Sequence, residues 1–466
     1  MHTKMTCWKR VLNTYQDFID RYKVQTMENY LMTALQDTLR MTEQDRLEKF
    51  RRNWEIYYGK GQKPLKVAVG AADDNLRMNF GRMFIDKGVA FLFGKDVGFE
   101  LAEGETTPEE DYLDQVWQAN RKMSLLQKLA TSGAVCGTAF VKIHWKPGMD
   151  PRLIICDPET VSVTLAEDDI DRVVAYKIRY PSVDPVTKKP IAIQQLIEQD
   201  GAGWMITDQR GNVDGGSMQT VGEQRWPYTF SPVVHCQNMI APHEFWGMSD
   251  IEDDLVEAID KENFTVSNIL KILRYHAHPK TWARGVGKAD VRVNADELIL
   301  LPNDNSTLQN LEMQSDLVSS IQMHKELKQF VHELARVPEV ATGKLESVGN
   351  LSGVALEILY QPLIEKTEAK RVTYGELIVE LNRRLLALGG YGDDNLTELR
   401  WQELLPKDAQ IQANAALSLK QLGVSGDTLI QEFGYDPDVE REKRAKESDL
   451  GSALLTAFDQ GGAETE

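Results

Sequence analysis

The densest run of chemically capable side chains lies between residues 249 and 262. It holds Asp250, Glu252, Asp253, Asp254, Glu257, Asp260 and Glu262 against one base, Lys261. Clustered carboxylates can bind a divalent cation or repel a polyanion. Such a run is also the ordinary signature of a solvated helix face. No histidine stands beside it at ligand spacing. His276 and His278 are two apart, and His324 and His332 lie eight apart; isolated surface or core histidines fit these spacings better than a metal site does. Lys60, Lys95, Lys288 and Lys344 each follow a glycine, yet none completes a GxxxxGK[ST] phosphate loop. HExxH, GxSxG and a GxGxxG after a strand are missing too. Scattered Asp and Glu elsewhere show no spacing that supports an acid–base pair. No catalytic residue, metal or cofactor is therefore expected. Cys7, Cys136, Cys156 and Cys236 form no CxxC pair, which disfavours disulfide or zinc-ribbon staples and points to a reducing cytosolic setting.

The 466 residues suggest roughly three modules, and 42% hydrophobic with 27% charged residues is an ordinary folded composition. A formal charge of −18 argues against a protein that coats DNA or an anionic membrane. It leaves room for DNA that passes close by without being gripped. The N-terminus has no continuous apolar stretch of signal-peptide type. Leu31, Leu35 and Leu39 keep helical spacing. Asn79 is placed to cap a helix over Phe80–Phe93 that Gly94 ends. Residues 109–132 read as helix. Short β-branched runs from 135 to 240 read as a meander of antiparallel strands. Ser249 is a plausible cap for a helix whose apolar stripe is Ile251, Leu255, Ile259, Val266, Leu270 and Leu273. About 27 residues at 1.5 Å rise make a rod of roughly 40 Å. Residues 276–313 form a compact module containing a strand at Glu297–Leu301. A second helix runs from about Asp316 to Arg336. A Gly-rich loop follows, and then a long helix, capped by Asn350 or Ser352 and running to about Leu388, which Pro362 is expected to kink. From Trp401 onward the chain reads as helical. The fold class is α+β, mainly helical with a β-rich insertion.

Five local patterns resemble, in order, the portal proteins of tailed bacteriophages. They are Asn79-Phe…Ile85-Asp-Lys-Gly-Val-Ala-Phe-Leu-Phe-Gly-Lys95, Gly133-Ala-Val-Cys-Gly-Thr-Ala-Phe-Val141, Asp157-Pro158, Gly247-Met-Ser-Asp-Ile-Glu252 and Gly349-Asn-Leu-Ser-Gly-Val-Ala-Leu356. The resemblance covers about residues 50–400. It implies a portal-type fold: a wing over 1–245 with its β-rich part at 135–240, stem helices at 246–275 and 314–340, a small α/β clip at 276–313, a channel loop at 341–352, a long kinked wing helix at 353–400, and a helical crown with a disordered tail at 401–466. It implies a homo-oligomeric ring, typically a dodecamer, at one capsid vertex of the virion, made in the host cytoplasm. Double-stranded DNA is pumped in and leaves through its channel, without sequence-specific contacts and with no membrane involved. The partners implied are the large terminase subunit, which supplies the ATPase, the major capsid and scaffolding proteins, and a head-completion or adaptor protein.

On that reading, Asp250, Asp253, Asp254, Glu257 and Asp260 are candidates to line the channel, where an acidic wall would let DNA slide. Equally, they face neighbouring subunits or solvent. The channel loop is Thr342, Gly343, Lys344, Leu345, Glu346, Ser347, Val348, Gly349 and Asn350. Lys344 is its only base, a transient phosphate contact or an ordinary loop lysine. Arg284, Lys288 and Arg292 give the clip a basic cluster that meets partners or phosphates, or is plain surface charge. Leu298–Leu301 either adds to a neighbour's sheet or fills the clip's own core. Two rivals remain: another capsid-associated ring protein, and a nucleic-acid-processing enzyme, which would need carboxylates clustered on metal.

Overall fold

The computed structural model describes residues 43–61, 63–67, 69–70, 73–101, 107–213, 217–277, 280–284, 307–311, 317–343, 353–392, 394, 397–405, 417–432, 437, 439–441 and 443–444. The expected helix around Leu31–Leu39, the strand at Glu297–Leu301 and the end of the chain lie outside these residues.

Helix α1 spans Glu43–Tyr57 and α2 spans Phe80–Phe93. Asn79 caps α2 as expected: its side chain accepts from the Arg82 N–H at 3.1 Å. Strand β1 (Val97–Glu100) leads to α3 (Pro108–Ala119), which opens with a reciprocal capping box between Thr107 and Glu110. The single helix expected over 109–132 is in fact two. Arg121 takes a left-handed φ of 55° and breaks the run, and α4 begins at Lys122 and ends at Cys136.

The expected β meander is present as two sheets. Strands β2 (Thr138–His144), β3 (Arg152–Cys156) and β9 (Val233–Gln237) form a three-stranded antiparallel sheet with β2 in the middle. Strands β4 (Val161–Leu165), β5 (Val173–Val183), β6 (Pro190–Asp200), β7 (Gly203–Asn212) and β8 (Gln219–Trp226) follow one another in a five-stranded antiparallel sheet. The sequence reading had no strand at β8. Apart from Val221 and the buried Trp226 its side chains are polar and mostly exposed, so no apolar alternation marks it.

Helix α5 spans Asp253–Ala277 and α6 spans Leu317–Ala335. Between them, β10 (Lys280–Arg284) pairs antiparallel with β11 (Thr307–Leu311). Helix α7 runs from Gly353 to Gly389 with Pro362 inside it, and Gly390 follows at φ 86°. Trp401 was expected to open a helical stretch. Instead it ends β12 (Glu398–Trp401), which pairs antiparallel with β1 from about 300 residues earlier in the chain.

The chain divides into two units. The first, 1–347 with 359–402, holds nearly all the elements above. Its main core joins α2, α3, α4, the two sheets and the C-terminal half of α7, with Trp117, Leu126, Phe140, Trp226 and Tyr374 at or near zero exposure. Inside it the Trp117 indole donates to Asn382 Oδ1 at 2.7 Å, satisfying a polar atom that burial would otherwise penalise. A second core joins α2 to α5 and α6. The other unit, 348–358 with 403–466, contains α8 (Gly426–Glu432), whose Thr428 N–H is capped by Ser425 Oγ at 3.2 Å.

Candidate functional site

The acid run meets the structure at α5. Leu255, Ala258 and Ile259 face Val331 and Ala335 of α6 in the second core, over Phe80 and Phe84 of α2. Further along, Glu262 of α5 meets His324 of α6 at 2.6 Å. Early residues of α5 thus pair with late residues of α6, which makes the two helices antiparallel. The 25 residues of α5 extend about 38 Å at 1.5 Å per residue.

The acids separate by face. Leu255, Ala258, Ile259 and Glu262 are buried, while Asp253, Asp254, Glu257 and Asp260 are exposed. Three of these, Asp253, Glu257 and Asp260, recur at helical spacing along one stripe. The stripe is partly neutralised within the subunit. Asp253 pairs with Arg52 at 2.6 Å and Glu257 with Lys261 at 2.6 Å. Burial raises the pKa of Glu262, and His324 pulls it the other way. His332, the other histidine of α6, is buried with its ring edge-on to Phe84, and its Nδ1 donates to Val337 O at 2.7 Å.

Asp250 leaves the candidate wall. It is buried, three residues before α5 begins, and its carboxylate is turned inward. Oδ2 lies 2.6 Å from Lys370 Nζ and Oδ1 lies 3.5 Å from Lys366 Nζ, both on α7. Asn238 Nδ2 donates to Oδ1 at 3.1 Å, and the Tyr374 hydroxyl donates to Asn238 Oδ1 at 3.1 Å. Lys366 Nζ also donates to Ala335 O, at the end of α6, at 3.1 Å. One buried network therefore ties the chain entering α5 and the chain leaving α6 to the same turns of α7. Burial pushes the Asp250 carboxyl up, but Lys366, Lys370 and two hydrogen bonds outweigh it and hold the pKa at about 2. Burial depresses Lys370 to about 8; Asp250 opposes the shift and Lys366 adds to it.

Ser249 does not cap α5, whose first residue is Asp253. Its hydroxyl lies 2.9 Å from Ala134 O and 2.8 Å from Val135 O in the last turn of α4, and it accepts from Ile251 N–H at 2.9 Å. The serine thus stitches the approach to α5 onto α4. Nearby residues needed for this were not singled out in the sequence. Asn53 of α1 donates to Val135 O at 3.0 Å and to Ser249 Oγ at 3.2 Å, and neither Lys366 nor Lys370 carries a motif.

The other candidates are dispersed. Arg284 ends β10, exposed and in register with Thr307; Lys288 and Arg292 lie outside the described residues. Thr342 ends a short 3₁₀ turn and donates to Glu339 O at 2.7 Å, and Gly343 follows at φ 96°. Lys344, Leu345, Glu346, Ser347, Val348, Gly349 and Asn350 lie outside the described residues. Pro362 is exposed within α7. Among the described residues, no group of three or more His, Cys, Asp or Glu is placed to hold a metal ion. Nor is any of their helices long and apolar enough to cross a membrane.

Chains in solved gene transfer agent particles are similar to this one at low identity. One, from the neck of an empty particle computed with C6 symmetry, is 15% identical with a TM-score of 0.46, covering 77% of this chain and 90% of that one. One from the native neck computed with C12 symmetry is 15% identical with a TM-score of 0.45, at the same coverage. One from the native virion is 14% identical with a TM-score of 0.43, covering 84% of this chain and 94% of that one. No curated protein matches. The family described as phage portal protein, SPP1 Gp6-like, matches residues 9–450. With nearly the whole length matched, the chain belongs to that family of phage portal proteins.

Proposed function

We propose that this portal protein, a ring component of the capsid vertex in the virion, uses the antiparallel pair α5–α6 as the stem that surrounds its channel. The observation that carries the reading is the two-faced character of α5. One stripe is sealed against α6 and α2, and the opposite stripe is acidic and exposed. Repeated around a ring, Asp253, Asp254, Glu257 and Asp260 form collars of negative charge. A duplex carries one charge per about 1.7 Å of its axis, so such collars keep it off the wall and let it slide.

In the same reading, residues 1–245 are the wing, the module holding β10 and β11 is the clip, 341–352 is the channel loop, and 401–466 is the crown. The ring is a dodecamer. ATP hydrolysis belongs to the large terminase subunit docked at the clip, where Arg284, Lys288 and Arg292 meet it. A head-completion or adaptor protein later takes that place, while scaffolding and major capsid proteins surround the wing. This chain then performs no catalytic step: it positions, seals and guides.

The test is packaging in the assembled phage. Asp253→Lys with Asp260→Lys should make the wall hold phosphate, slow packaging and make it more salt-sensitive. Lys344→Glu should shorten the packaged genome. Unchanged packaging with the α5 pair of substitutions would move those acids to a subunit contact or to open solvent. Unchanged genome length would remove Lys344 from DNA contact.

A further inference from the structure

The chain has 71 acidic against 53 basic side chains, so a recess lined by several unpaired cations stands apart. One lies where α3 turns into α4 beside the start of β3. It encloses about 750 Å³, and its lining includes Arg121, Lys128, Arg152, Ser124, Asn120 and a single acid, Asp150. Asn120 ties the end of α3 to the start of β3 there. Its Nδ2 donates to Val116 O at 2.8 Å and Pro151 O at 2.9 Å, and its Oδ1 accepts from Leu153 N–H at 2.8 Å. Arg121 holds the left-handed φ of 55° that favours glycine, yet the position carries a cation. Among the described residues, none of the three cations takes part in an ion pair. The positive field extends along the sheet. His144, the strand partner of Arg152, has its pKa lowered by burial and then by Lys142, Lys146 and Arg152.

A complementary element exists on the same chain. The turn between β4 and β5 exposes Glu167, Asp168, Asp169 and Asp171. Among the described residues its one ion pair joins Asp168 to Arg172 at 3.3 Å, and Asp169 accepts from the Asp171 N–H at 2.9 Å to hold the turn. The acids at the start of α5 are better matched already: Glu252 meets Lys49, Asp253 meets Arg52 and Glu257 meets Lys261. Within one subunit, the turn does not pair with the recess.

In a closed ring each subunit offers one face to the next copy and receives it on another, so the two faces must be complementary. We infer that the acidic turn 167–171 of one copy seats its carboxylates in the Arg121–Lys128–Arg152 recess of its neighbour. The inference rests on the ring reading above. Nucleic acid is the poorer occupant, because Asp150 at the recess would repel a continuous line of phosphates. The same Asp150 suits Arg172, which closes the acidic turn.

The experiment uses the full chain and reads the ring fraction by mass photometry across a salt series. The recess variant combines Arg121→Gly, which suits the backbone there, with Arg152→Glu. The turn variant combines Glu167→Lys with Asp171→Lys and spares Asp169. Each alone should raise the subunit concentration needed for half assembly about tenfold, and the two together should recover most of the loss. Far-ultraviolet circular dichroism and melting of each variant confirm that the subunit still folds. Wild-type assembly left intact by either variant overturns the inference, as does a combined variant no better than the weaker single one. Capture of a labelled duplex by the wild-type ring that Arg152→Glu abolishes would assign the recess to nucleic acid instead. A wild-type chain that never forms rings refutes the ring reading itself, and is distinguished from failure of this contact by having no assembly to perturb.

Discussion

Removing the charge of Asp250 would leave Lys366 and Lys370 facing each other in the protein interior. Asp250→Asn is therefore expected to destabilise the subunit by about 3–5 kcal/mol, the usual cost of stranding a buried charge, read as a lower denaturant midpoint. The pH dependence follows from the same residues. The Asp250 carboxyl titrates at about 2 when folded against an ordinary 3.8. Its contribution is complete above about pH 4 and is lost as pH falls toward 2, because protons then bind the unfolded chain first. The stability gap between wild type and Asp250→Asn should narrow across that window; a constant gap would contradict the network. Lys370 titrates at about 8 against 10.5, so between those values the unfolded chain holds the extra proton and its linkage raises stability as pH rises. Sequence sign alone could not separate Asp250 from its neighbours in the acid run. The lysines that claim it lie 116 and 120 residues later, on a helix face with no local signature of burial.

At the scale of elements, two of the patterns that resembled the portal family acquire a physical cause. Gly137, at the end of α4, has φ 85°, and a Cβ there would strike the Gly247 backbone; a Cβ on Gly247 would in turn strike Gly137 O. The two glycines let the segment before α5 pass against the start of β2, where Asn238 N–H donates to Gly137 O at 2.8 Å. Gly137→Ala is expected to cost at least 2 kcal/mol, roughly the sum of left-handed strain and a backbone collision, measured by thermal melting; an unchanged Tm would contradict the close approach. Elements with strong periodicity or caps were legible: α2 with Asn79, most of the strand meander, α6 and α7. The break at Arg121 was hidden because no Gly or Pro marks it. The pairing of β12 with β1 was hidden because each strand has four residues and the contact spans the chain. Ser249 misled because its hydroxyl serves α4 instead of the helix that follows.

In the whole molecule, family membership makes this chain a portal protein, and the proposed arrangement places α5 and α6 around the channel of its ring. The distribution of charge fits a device that guides a polyanion: the excess of acids is general, and three cations without an ion pair among the described residues gather in one recess on the first unit. The most direct measurement is a cryo-electron microscopy reconstruction of the purified full chain, with subunits counted and side chains placed around the axis. The expected result is a closed ring of twelve copies with Asp253, Glu257 and Asp260 turned toward the central opening. A chain that remains a single subunit under all assembly conditions, or a ring that carries α5 and α6 on its outer rim, would contradict it.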